Sequence, residues 1–94
     1  MALYLVSYDI TEKDKSEYEA LWIRLGELGA TKILYSEWLI VAEVDQSSAI
    51  YGRIAPLTKQ SDRLLIQEVL ADATYDKLLI SDGQFARLLE NARR

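Results

Sequence analysis

LYLVSYD, residues 3–9, decides how the rest of the chain must be arranged. Its length and its β-branched and aromatic content fit a β-strand. Side chains alternate along a strand, so Tyr4, Val6 and Tyr8 share one face while Leu3, Leu5 and Ser7 share the other. Both sets are mostly apolar, so both faces of the resulting sheet need cover. The strand exits on a carboxylate, Asp9. An acid in that place either ends the strand by bonding the amides of the following turn or stands ready as a metal ligand.

Outward from this strand, TEKDKS at residues 11–16 is a polar turn leading into a helix. From Asp14 onward Tyr18, Leu21, Trp22, Leu25 and Leu28 form the one-sided stripe of an amphipathic helix, and Gly29 follows as its cap. Residues 31–35 and 38–44 read as two strands separated by Ser36 and Glu37, a spacing suited to a hairpin. Residues 45–48 supply cap candidates for a second helix with Ala49, Ile50, Ile54 and Leu57 facing inward. Pro56 kinks or stops that helix.

RLLIQEVL, residues 63–70, fits helix or strand by composition. Its short length and its place after a helix argue for a strand. Residues 77–80 read as a short edge strand or irregular chain. Ser81 and Gln84 have capping-box spacing and open a last helix with Phe85, Leu88 and Leu89 on one side.

The order βαββαβ plus a terminal helix predicts one α+β domain over residues 1–94, a ferredoxin-like sandwich with an antiparallel sheet and two helices on one face. Two helices cover only one side. The other is covered by a second copy of the chain or by the terminal helix folded across the sheet, since bare apolar sheet of this size is seldom left in water. A stripe of three residues is narrow for three strands, so the expectation is a twofold homodimer.

Composition removes several chemistries. With no cysteine there is no disulfide, thiolate zinc site or thiol nucleophile, and with no histidine the commonest general base is missing. Catalysis would have to run on carboxylates, hydroxyls, lysine or arginine, an inventory suited to a hard ion such as magnesium. The net charge of −4 argues against a general nucleic-acid binder, which normally carries a basic face. No apolar run approaches the roughly 18 residues of a membrane span, and no basic stretch precedes a hydrophobic one, so the expected location is cytoplasmic without membrane contact.

LYLVSYDI, then an amphipathic helix, then KILYSEWLIVAEV, a second helix and SDRLLIQEVL together resemble the CRISPR-associated protein 2 family, whose relatives include the virulence-associated protein D toxins. The resemblance spans residues 2–70 in element order. Its specific residues are Tyr8 and Asp9, Tyr35 and Ser36, and the DRL entry from Asp62 to Leu64. It implies a homodimer with a strand-end aspartate at the seam, and divalent-metal-dependent cleavage of RNA or DNA in which Asp9 is catalytic and binds the metal. Other members of the family act as dimeric scaffolds for a partner integrase. Family members follow the aspartate with an arginine- and lysine-rich helix start, whereas this chain reads ITEKDKSEYEALW.

One carboxylate per subunit is a poor magnesium site, but a twofold axis could bring two together around one ion. Ser7 is either a phosphate contact or a small polar residue at the seam, and no general base is at hand to activate it. Lys13 and Lys15 are the local candidates for phosphate contact, partly cancelled by Glu12 and Asp14. Tyr8, Trp22 and Trp38 read as core. Beside the endonuclease stand two rivals: a catalytically silent dimeric scaffold or toxin–antitoxin-type interaction protein, and a dimeric small-molecule or cofactor-free oxygenase domain, which the fold permits.

Overall fold

Strand β1, Ala2–Asp9, is the spine of a four-stranded sheet in a computed structural model that describes residues 1–11 and 15–93. Around it lie α1 (Glu19–Glu27), β2 (Thr31–Leu34), β3 (Glu37–Ala42), α2 (Ser47–Ile54), β4 (Arg63–Val69) and α3 (Asp82–Ala92), with single 3-10 turns at Lys15–Tyr18 and Ala55–Leu57. The sheet order is β2-β3-β1-β4 and every neighbouring pair is antiparallel. Across the ladder Leu5 meets Leu39 on β3 and Gln67 on β4, while Asp9 meets Arg63. The class is therefore α+β, with an open antiparallel sheet and three helices.

The first face follows from the alternation of β1. Tyr4, Val6 and Tyr8 point to the side where α1 brings Leu21 and Leu25 and α2 brings Ile50 and Ile54, and all are buried together with Tyr18. Each such side chain contributes roughly 1.5–3 kcal/mol by leaving water. The Tyr4 hydroxyl is satisfied in both directions, donating to the Glu43 carbonyl at 2.7 Å and accepting from the Gln46 amide at 2.9 Å. Helix α2 starts within the expected residues 45–48, but without a side-chain cap. Gln46 is its N-cap, and its own amide is held by a core tyrosine instead. Ala49, expected to face inward, is exposed, whereas Ile50 and Ile54 are buried as anticipated.

Gly29 ends α1 at φ 77°, the left-handed conformation that a side chain disfavours. Residues 77–80 are irregular rather than a strand. Lys77 takes φ 56°, and the Leu79 amide makes a single 2.9 Å bond to the Ile33 carbonyl on β2. The capping box at Ser81 forms as its spacing predicts: the Gln84 amide donates to the Ser81 hydroxyl and the Ser81 amide to the Gln84 side chain.

Helix α3 lies on the second face. Phe85 is buried with Leu3, Ile33 and Leu39, and Leu88, Leu89, Ala92, Leu78 and Ile80 pack around them. The three-residue stripe reaches further than expected because the irregular chain ahead of the helix adds Leu78 and Ile80. Tyr75 sets its ring edge against Phe85 at 4.5 Å between centroids. The cover is nevertheless partial. It spans the end of the sheet holding Leu3, Leu39 and Val41 and leaves an apolar groove of about 210 Å³ beside Leu5 and Val69. Toward Asp9, Leu65 remains 52% exposed. No helix among the described residues is long and apolar enough to cross a membrane.

Candidate functional site

The last residue of β1 and the first of β4 are ladder partners, which places Asp9 and Arg63 side by side on the second face. A guanidinium nitrogen of Arg63 is 3.7 Å from Asp9 Oδ2, and the two side chains are 85% and 73% exposed respectively. An ion pair so open to water contributes between zero and about 1 kcal/mol. Ser7, one step back on the same face, pairs with Leu65. With Tyr8, Leu64 and Leu65 these residues line a shallow cleft of about 150 Å³. That is below the roughly 300 Å³ at which small-molecule pockets begin. The cleft suits contact with another surface more than enclosure of a ligand.

The sequence-predicted site residues are only partly brought together. Asp9 and Ser7 share the cleft, whereas Lys13 and the side chain of Lys15 lie outside the described residues. Arg63, in the DRL entry, is the cation that meets Asp9.

Magnesium takes six oxygens in near-ideal octahedral geometry and keeps several waters, so a site needs more than one convergent carboxylate. Among the described residues no three acidic side chains converge on a common point, and the charge beside Asp9 is a guanidinium. Among the described residues the donors around Asp9 do not by themselves make up a magnesium site.

The turn-forming role that the sequence left open for Asp9 is carried by Asp62. Its Oδ1 accepts from the Thr11 amide (2.9 Å), the Thr11 hydroxyl (2.9 Å) and the Tyr18 hydroxyl (3.0 Å), and its Oδ2 accepts from the Lys59 amide (2.7 Å). Ser61 adds a 2.8 Å hydroxyl contact to Thr11. Partial burial pushes the Asp62 carboxyl up, but the bonds from Lys59, Thr11 and Tyr18 outweigh it and hold the group below its ordinary value of 3.8. This clasp ties the exit of β1 to the entry of β4 and so fixes the ends that carry Asp9 and Arg63. In the sequence only the DRL entry touched it, and nothing local marked its partner across the fold.

A second cluster lies on the first face. The Tyr8 hydroxyl accepts from Trp22 Nε1 at 3.0 Å and from Trp38 Nε1 at 3.2 Å, locking both indoles on one oxygen. Both tryptophans pack against the core, as their positions predict, while remaining partly accessible. Lys32, the ladder partner of Trp38, holds Nζ 5.7 Å from the Trp22 ring and 5.9 Å from the Tyr35 ring.

No family model, curated protein or solved structure matches the chain.

Proposed function

We propose that the chain is a ferredoxin-like subunit akin to CRISPR-associated protein 2 that works as a homodimer, and that its task is to hold partners rather than to cleave them. The observation that carries this reading is the uncovered half of the second sheet face. Leu65 stands half-exposed beside Ser7 there, with Asp9 and Arg63 at the rim. The strand order β2-β3-β1-β4 with βαββαβ connectivity supports the ferredoxin-like assignment. A twofold contact through this region buries the remaining apolar strip without displacing α3, and the Asp9–Arg63 pair offers both signs of charge to an identical patch.

The second reading is metal-dependent cleavage of RNA or DNA at Asp9, favoured by the carboxylate's exposure beside a phosphate-binding type of side chain, Arg63. It calls for further carboxylates beside Asp9, such as a second Asp9 from the partner, because among the described residues no three acidic side chains converge there.

Light scattering on the purified protein, with single-stranded RNA and duplex DNA incubated in magnesium or chelator, tests both. A dimer without cleavage supports the scaffold. Magnesium-dependent cleavage abolished by Asp9→Ala supports the nuclease, and a monomer overturns both.

A further inference from the structure

On the face of the sheet opposite Asp9, beside the edge strand β2, three side chains are arranged in a way that the dimer reading does not use. Tyr35 sits in the β2–β3 turn with 83% of its surface exposed. Lys32 projects between its ring and that of Trp22, at 5.9 and 5.7 Å from the two centroids. The Trp22 ring is fixed in turn by its bond to the Tyr8 hydroxyl. Among the described residues the ion pairs run from Arg24 to Glu27 and from Arg63 to Asp9, and neither includes Lys32. Its charge is met by π faces, which attract a cation without neutralising it.

Such a group can satisfy two demands at once. An ammonium ion unpaired with any carboxylate attracts an anion, and the open ring of Tyr35 beside it offers a flat apolar surface. A ligand that is planar and anionic within a few ångströms meets both, and a nucleotide of a single strand has that form. A duplex does not, because its bases are stacked on one another. The net charge of −4 gives no long-range steering toward a polyanion, so binding here rests on contact at the site itself.

We propose that Tyr35, Lys32 and Trp22 form a stacking site for one nucleotide of single-stranded nucleic acid, with the base on the Tyr35 ring and the phosphate at Lys32 Nζ. Tyr35 supplies the platform, Lys32 the counter-charge, and Trp22 holds Lys32 in place and reports occupancy by its emission. The inference stands apart from the dimer face, since the two lie on opposite sides of the sheet.

The test is a titration of the full chain with short oligo(U) and oligo(dT), following tryptophan emission. Saturable quenching is expected. Tyr35→Ala should weaken binding about tenfold while Tyr35→Phe, which keeps the ring, binds as the unaltered protein does. Lys32→Gln should weaken binding and flatten the dependence of log affinity on log salt by about 0.7. Both sites are on the surface, and circular dichroism of each variant confirms folding. Unchanged emission, or equal affinity in Tyr35→Ala and the unaltered protein, overturns the site. Uridine monophosphate binding as tightly as the oligomer overturns the strand as the source, and tighter binding of duplex overturns the stacking geometry. Light scattering on the same samples reads the dimer separately, so a failed titration leaves that reading intact.

Discussion

Thr11 and Asp62 lie 51 residues apart in the chain, yet Asp62 Oδ1 accepts both the amide and the hydroxyl of Thr11 at 2.9 Å. The bonds join the two strand ends that carry Asp9 and Arg63, so the pairing at the cleft depends on a carboxylate outside it.

Replacing Asp62 by Ala removes the acceptor for four donors. Those hydrogen bonds interact, and the loop can be partly resolvated, so the expected loss is about 2 kcal/mol. Urea unfolding measures it, and a change below about 0.5 kcal/mol would show that the clasp is ornamental.

The same carboxylate sets an acid limit. Its folded value is lowered from 3.8, so its stabilisation is fully present above that ordinary value and is lost as pH falls through the lowered one. Many other acids titrate in this range, so the useful quantity is the gap in melting temperature between the unaltered protein and Asp62→Asn. The gap should be constant from neutral pH to about pH 5 and close below the ordinary carboxylate value. A gap that widens on acidification would contradict the assignment.

Tyr8→Phe leaves the Trp22 and Trp38 indoles without their shared oxygen. Partial access to water softens the penalty, and about 1–2 kcal/mol is expected in chemical unfolding. Tryptophan emission should change in the folded state as well, since both reporters lose their hydrogen-bond partner.

Phe85→Ala empties the centre of the contact between α3 and the sheet, at a cost of about 3 kcal/mol. Hydrogen exchange should then accelerate in α3 well before β1. The newly open Leu3 and Leu39 should bind a hydrophobic dye.

Asp9→Ala should leave stability within about 0.5 kcal/mol, because the carboxylate and its arginine are both largely in water. Any cleavage or assembly lost in that variant is then a property of the site and not of folding.

Much of this arrangement was readable from local pattern. The alternation in LYLVSYD assigned Tyr4, Val6 and Tyr8 to one face, and the structure buries all three. Ser81 and Gln84 announced a helix start by spacing alone, and their reciprocal bonds form. The strand at Arg63 followed from length, since its leucines could not separate strand from helix. Harder to see were relationships that depend on distant chain. The bond from the Gln46 amide to Tyr4, the bonds of Asp62 to Thr11 and Tyr18, and the meeting of Arg63 with Asp9 each join residues from different elements. No periodicity encodes such contacts. The reach of α3 is hidden in the sequence for a related reason: its own stripe holds three residues, whereas Leu78 and Ile80 precede the helix and pack against the same strands.

The bond from the Leu79 amide to the Ile33 carbonyl has a bearing on assembly size. It occupies part of the outer margin of β2, already only four residues long, so an incoming strand finds that border obstructed. The opposite margin, β4, is the longer one and carries Arg63 and Glu68 among its exposed side chains. Growth by strand addition thus has one usable border per molecule. A strand added along β4 would be a contact distinct from the one proposed through the sheet face, and a pair joined that way would have no open border left for a third molecule.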